Sequence, residues 1–264
     1  MDVEAYLRRI GYDGTCQPSA SSLRALHRRH LLTVPFENLD IQLATPIRLE
    51  MPLLYDKIVA RRRGGFCYEL NGLFCELLRA MGFQVRMLSA RVRRDDGGFG
   101  PEFDHMLLKV ELEEPWLVDV GFGDCFVDPI VFHAGGADHL NGNRYSLSPF
   151  GAGWQLLRED EERQVPLYSF CDIPRHLSDY AEMCQFHQTS PESSFTQHWI
   201  CSKTTAEGRI TLTNMRLIIT QRGTREESML TTEAEVRRCL HDQFGIQFPE
   251  SAELSRLAGV IQQV

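Results

Sequence analysis

Residues 61–82 read RRRGGFCYELNGLFCELLRAMG. From Leu70 onward the apolar side chains fall at Leu70, Leu73, Phe74, Leu77, Leu78 and Met81, the one-sided spacing of an amphipathic helix packed on a core. Gly82 follows the last apolar position, where helices commonly end in a left-handed residue. Gly64 and Gly65 break the chain at the other end, so Cys67 is predicted at or near the first helical residue. The first N–H groups of a helix have no backbone partner and carry partial positive charge. A thiol placed there, with an imidazolium nearby, is expected to have its pKa lowered from about 8.5 towards the 3.5–7.5 range. The two glycines are expected to leave room for a substrate at the sulfur. Cys67 is therefore a candidate nucleophile that needs a histidine base. The competing reading is a free cysteine buried as a small hydrophobe, which is the assignment for Cys75 on the same helix.

Working outward, the chain has 264 residues, 43% of them hydrophobic and 24% charged, as in an ordinary globular protein of two or three subdomains. The net charge of −8 argues against general binding to nucleic acid or anionic membranes. The eight cysteines include no CxxC pair. There is no signal-peptide core, and no apolar run is long enough to span a bilayer. Reduced thiols in the cytoplasm are the expectation.

Upstream of Cys67 the pattern is helical: one helix over 3–10 closed by Gly11, one over 22–31 and one over 53–60. His27 and His30 belong to the basic run HRRH and are expected on a solvated helix face. Between the second and third helices lies VPFENLDI, residues 34–41. Glu37 sits there beside Phe36 and Leu39, and a carboxylate in apolar surroundings needs a cationic partner. Arg63 is the candidate; a solvent-exposed Glu37 is the alternative. Downstream, 84–92, 105–112 and 116–123 read as strands, followed by RYSLSPF, WQLLRE and VPLYSF. Several short strands at this spacing point to a compact antiparallel barrel or sandwich. RITLTNMRLIITQRG (209–223) reads as a strand hairpin. Thr232 and Glu235 form a capping box before a helix carrying Val236, Leu240 and Phe244, and a last helix is expected over 252–261.

Nine histidines could partner Cys67. His105 opens a strand in which Met106, Leu108, Val110 and Leu112 form the apolar face, so it points the other way, at the exit of a Gly-rich loop. Asp119 lies inside the apolar run WLVDVGFG, and a carboxylate there needs a strong partner. Cys, His and Asp from separate elements are the nucleophile, base and orienter of a thiol triad. A direct hairpin about the EEP turn, however, sets His105 opposite Gly123 and Asp119 opposite Lys109, about 13 Å apart; a bulge or another pairing is then required. Cys184, His187, His198 and Cys201 have plausible local zinc spacing, but among seventeen Cys and His residues chance explains them better, and no metal is expected.

VPFENLDI, RRGGFCYELNG, HMLL and WLVDVGFG, in this order, together with SPESSF (190–195) and TLTN (211–214), resemble the arylamine N-acetyltransferase family over essentially the whole chain, and bacterial members most. The resemblance implies an α+β fold: an N-terminal helical bundle (1–83), a central antiparallel β-barrel (84–188) and a C-terminal α/β lid (189–264), with a papain-like Cys-His-Asp triad. It implies Cys67 as acetyl-accepting nucleophile, His105 as base and Asp119 as orienter. It further implies the Glu37–Arg63 ion pair as structural support, and Phe122, Gly123 and Phe126 in the cleft for substrate or coenzyme A. Acetyl-coenzyme A would be a co-substrate rather than a bound cofactor, and a small aromatic amine or hydrazine the acceptor in a ping-pong cycle. One departure stands out: related sequences often carry a hydroxyl residue before the triad histidine, and here it is Asp104. A thiol amidohydrolase or transglutaminase-like enzyme would use the same three residues on amides.

Overall fold

The helix that begins at Cys67 is the centre of the molecule, and nearly every side chain on it is buried. The structure is a computed structural model that describes residues 1–132, 136–138, 143–160 and 163–259. The N-terminal part consists of α1 (Val3–Ile10), α2 (Ala20–Thr33), β1 (Phe36–Glu37), α3 (Leu39–Gln42), α4 (Met51–Tyr55), a π-helical turn Asp56–Ala60 and α5 (Cys67–Ala80). Local chemistry sets the helix ends. Asp2 accepts from the Ala5 N–H at the start of α1, and Gly11 closes it with φ 65°. Gly82, with φ 89°, follows α5 as its spacing predicts.

Then follow β2 (Gln84–Val92), β3 (His105–Glu111), β4 (Pro115–Val118), β5 (Ile130–Val131), β6 (Gly136–Asp138), β7 (Arg144–Phe150), β8 (Gly153–Asp160) and β9 (Arg163–Phe170). They form one antiparallel sheet in the order β5-β4-β3-β2-β9-β8-β7-β6, which curls into a nearly closed barrel. The alternation of side chains across the strands divides it into two cores. Val85, Met87, Met106, Leu108, Val110 and Val118 pack outward on Tyr68, Leu70, Phe74 and the other helical residues. Leu88, Ala90, Leu107, Leu117, Tyr145, Leu156 and Tyr168 fill the barrel.

A 3-10 turn (Leu177–Tyr180), α6 (Ala181–Thr189) and α7 (Ser194–Gln197) lead into β10 (Ile200–Thr205), β11 (Gly208–Thr213), β12 (Arg216–Gln221) and β13 (Thr224–Met229), then α8 (Glu233–Phe244) and α9 (Ser255–Gly259). The β11–β12 hairpin turns through Asn214 and Met215, both at positive φ, as two-residue hairpins require. The Thr232–Glu235 capping box is present. Of the last predicted helix, 252–254 are non-helical, and 260 and 261 lie outside the described residues. The second sheet has the order β1-β10-β11-β12-β13. Its first strand thus comes from the N-terminal segment: Phe36 pairs with Ser202 and Glu37 with Cys201. No helix among the described residues is long and apolar enough to cross a membrane.

A buried ion network joins these parts. Arg63 donates from Nε and Nη2 to the two carboxylate oxygens of Glu37 at 2.9 and 3.0 Å, and from Nη2 to Asp40 at 2.8 Å. Lys57, on the π-helical turn, contacts Asp40 and Glu69, each at 2.8 Å. Glu69 in turn accepts the Phe66 N–H at 3.1 Å, capping α5 one residue before Cys67. Burial opposes the charge on Lys57, but Glu69, Glu37 and Asp40 outweigh it and hold its pKa above the usual value. Burial likewise opposes the Asp40 carboxylate, which Lys57 and Arg63 keep below the usual range. Three carboxylates face two cations, and Glu69, whose one cationic contact among the described residues is Lys57, is pushed up by burial to about 7.

The structure corrects several expectations here. His27 and His30 are fully buried, not solvated. With Leu23 and Leu26 they complete the 23/26/27/30 spacing of a buried helix face, and they pack against Phe126 and Phe74 respectively. Gly64 and Gly65 make room for the protein and not for a substrate. A Cβ at Gly64 would lie 2.0 Å from the Pro35 carbonyl oxygen, and one at Gly65 would lie 2.8 Å from Glu69 Cβ. The residues considered for zinc are dispersed: Cys184 joins the helical core, Cys201 the core under the second sheet, and His198 bonds Asn214. Among the described residues no group of His, Cys, Asp and Glu side chains could hold a metal ion. Because Arg63 is the one cation bonded to Glu37 among the described residues, Arg63→Ala leaves this buried carboxylate with the Leu39 N–H but without a counter-charge. It is expected to cost about 3–5 kcal/mol of unfolding free energy, measured by urea denaturation.

Candidate active site

Cys67 is the first residue of α5 and is 3% exposed. It opens on a cavity of about 430 Å³ that His105 also lines, together with Phe36, Gly121, Phe122, Gly123, Phe195 and Arg209. His105 stands at the first position of β3, on the barrel side of the strand, with its ring 5.1 Å from Phe122 and 5.3 Å from Tyr168.

The distance problem between His105 and Asp119 is resolved by register. β3 and β4 do pair directly, but Leu108 faces Val118 and Val110 faces Trp116. This is a shift of two residues from the hairpin expected about the EEP turn. β4 ends at Val118, and Asp119 turns out of the ladder at a position diagonal to His105. Its Oδ2 accepts from His105 Nε2 at 2.8 Å and from the Tyr168 hydroxyl at 3.1 Å. Oδ1 accepts from Asn71 Nδ2 and from the Gly121 N–H, both at 2.9 Å. A carboxylate only accepts, so Nε2 carries the proton and Nδ1 is the ring atom left to take one.

Burial would raise the Asp119 carboxyl. The charge of His105 and the hydrogen bonds from His105, Asn71 and Gly121 outweigh it and hold the carboxyl below the usual range. Cys67 behaves differently from the helix-terminus expectation. Burial pushes its thiol well up, and the carboxylates of Asp119 and Asp104 add to this, against a lowering hydrogen bond from the Met106 backbone. The helix terminus thus does not by itself hold Cys67 as a thiolate, and the His105 ring lines the same cavity.

Three positioning residues carried no sequence signal strong enough to single them out. Asn71, one helical turn after Cys67, donates to the Met106 carbonyl at 2.7 Å and to Asp119, and accepts the Val120 N–H at 2.9 Å. It thereby ties α5 to β3 and to the segment that follows β4. Its spacing of four from Cys67 places it on the same helix face, a signal that could have been read. Tyr168 comes from β9, 49 residues from Asp119. His27 bonds the Val127 carbonyl through Nδ1 at 2.7 Å, and its Nε2 lies 3.3 Å from the Asp119 N–H. Nε2 also lies 3.0 Å from the Asp119 carbonyl oxygen, and burial holds the pKa of the ring below the usual value.

Of the residues expected in the cleft, Phe122 and Gly123 line the cavity, but Phe126 does not. It is 1% exposed in the barrel core, stacked on His27 at 5.6 Å and edge-on to Tyr145. Its large apolar ring goes where most area can be buried. Room beside the sulfur comes from Gly121, where a Cβ would lie 2.8 Å from Cys67 Cα. Gly121→Ala is expected to displace Cys67 and reduce turnover by about 10²-fold, with the loss seen in steady-state rates while circular dichroism reports a folded chain. The depressed Asp119 pKa has a sign that can be tested. Its stabilisation is complete above the unfolded pKa of about 3.9 and is lost as pH falls through the lower folded value. Asp119→Asn should therefore flatten the acid limb of melting temperature against pH below about pH 4.

Comparison with known proteins agrees with this geometry. Residues 19–252 match the N-acetyltransferase family. The arylamine N-acetyltransferase of Mycolicibacterium smegmatis is 34% identical over 96% of this chain and 94% of its own length. That of Escherichia coli K12 is 34% identical over 91% and 87%. The structure of the Mycobacterium marinum arylamine N-acetyltransferase in complex with CoA superposes with a TM-score of 0.90 at 33% identity, covering 100% of this chain and 99% of that one. The Salmonella typhimurium enzyme gives 0.89 at 31% identity, covering 98% and 97%. With relatives at this identity and coverage, and with solved structures of the same fold, the chain belongs to the arylamine N-acetyltransferase family.

Proposed function

We propose that the protein transfers an acetyl group from acetyl-coenzyme A to an arylamine or arylhydrazine through an acetyl-Cys67 intermediate. The observation that carries this reading is that Cys67 and His105, the latter held through Nε2 by Asp119, line a single cavity. The thiol proton passes to His105 Nδ1 as Cys67 Sγ attacks the thioester carbonyl carbon. The tetrahedral intermediate collapses, and coenzyme A leaves as its thiol with the proton from His105. The acceptor nitrogen then attacks the acetyl-Cys67 carbonyl, gives its proton to His105, and the returning proton restores the Cys67 thiol. Asp119 keeps the ring oriented and stabilises it when charged. The Cys67 N–H, first of the unpaired donors of α5, is placed to stabilise the oxyanion. Aromatic amines are weakly basic and stay unprotonated at neutral pH, which suits them to a site that supplies one base.

The division into three domains at 83/84 and 188/189, and a cytoplasmic location, belong to the same proposal. A thiol amidohydrolase could use the same residues on amides; the kinship with acetyltransferases over nearly the whole chain supports transfer instead. Brief mixing with acetyl-coenzyme A, followed by intact-protein mass, tests the reading. Wild type should gain one acetyl group that an aromatic amine discharges as acetylated amine, and Cys67→Ala should gain none. His105→Gln should slow adduct formation by about 10²–10⁴-fold. A wild-type protein that takes up no acetyl group would sink acetyl transfer and make amide hydrolysis the next reaction to assay.

A further inference from the structure

Apart from the His105 ring, the cavity wall carries two carboxylates and one guanidinium, on Asp104, Asp124 and Arg209. Asp124 and Arg209 pair with each other. Arg209 Nε lies 3.0 Å from Asp124 Oδ1, and Arg158 lies 3.5 Å from the other oxygen. The remaining guanidinium donors of Arg209 go to Ser202 Oγ, Thr204 Oγ1 and the Gly123 carbonyl.

Asp104 is placed differently. Among the described ion pairs it meets no lysine or arginine, and its one titratable partner is His187, with Nε2 3.4 Å from Oδ1. That is longer than a charge-assisted hydrogen bond. His187 is engaged elsewhere through Nδ1, 3.1 Å from Ser193 Oγ. The Asp104 side chain is 19% exposed, and the preceding loop is shaped around it: a Cβ at Gly100 would lie 2.2 Å from Asp104 Oδ2. The carboxylate is felt at the nucleophile too, since it is one of the charges that push the Cys67 thiol up.

We propose that Asp104 is a specificity-determining residue that selects acceptors by charge, favouring neutral and cationic aromatic amines or hydrazines over those bearing a carboxylate or sulfonate. The inference rests on the acetyl-transfer reading above. A cavity of about 430 Å³ is under about 10 Å across, so a charge on a bound ring sits within about one Debye length of Asp104. At about 7 Å and an effective dielectric constant between about 20 and 40, Coulomb's law gives a discrimination of about tenfold or more between an anionic and a neutral acceptor.

The test compares kcat/KM for three acceptors of similar shape with acetyl-coenzyme A as donor: para-aminobenzoate, para-aminobenzamide and para-aminobenzamidine. Wild type is set against Asp104→Asn and Asp104→Thr, and acetyl uptake by each variant, read by intact mass, reports that its site is formed. Comparing each acceptor ratio between wild type and variant removes the intrinsic reactivities of the three amines. The anion-to-neutral ratio should rise about tenfold in the variants, and the cation-to-neutral ratio should fall. Unchanged ratios in variants that still take up acetyl would overturn charge selection by Asp104 and leave the transfer reading standing. A wild-type protein that acetylates none of the three would overturn the transfer reading and this inference with it.

Discussion

Everything at the cavity depends on the buried ion network of Glu37, Asp40, Lys57, Arg63 and Glu69. It closes the segment that precedes α5 onto the segment that opens the second sheet, and Glu69 caps the helix one residue before Cys67. Such a network is costly to bury, and in other proteins apolar side chains of similar volume often replace one without loss of stability. What it supplies is position. Glu37 is at once the Arg63 partner and a strand residue paired with Cys201, so the same side chain ties the nucleophile's helix to the sheet whose Ser202 and Thr211 line the cavity.

The barrel makes the other half of the site by a different means. β3 presents one face to α5 and the other to the barrel interior, which leaves His105 at the seam between them. Asp119 follows the last paired residue of β4 and is held by four donors from α5, β3, β9 and its own loop. A carboxylate so enclosed cannot leave or take up a proton cheaply, which suits it to orienting the imidazole. Asn71 ties the two halves together, because one amide bonds both the β3 backbone and Asp119.

The thiol illustrates how burial and local field compete. A helix terminus favours the thiolate, yet at Cys67 burial and two nearby carboxylates act the other way. The net direction is upward, so a thiolate here would need a proton acceptor in the same cavity, the place that the proposed reaction gives to His105.

Much of this was legible in the sequence by itself. The apolar spacing after Cys67, the glycines that bound its helix, the capping box at Thr232 and the alternation after His105 are local patterns, and they determined the elements, the placement of Cys67 and the direction of His105. Arg63 was a candidate partner for Glu37 because a carboxylate among apolar neighbours needs a cation, but spacing left a solvent-exposed Glu37 equally open and packing decided between them. Tertiary structure alone decided the rest. A hairpin's register depends on which residues its faces bury, and a shift of two positions brought Asp119 to His105. The burial of His27 and His30, the withdrawal of Phe126 into the barrel and the filling of the space at Gly64 and Gly65 were settled by what packed against them. So was the convergence of Asn71 and Tyr168 on one carboxylate. Periodicity says which way a side chain points; only packing between segments tens of residues apart says what it meets.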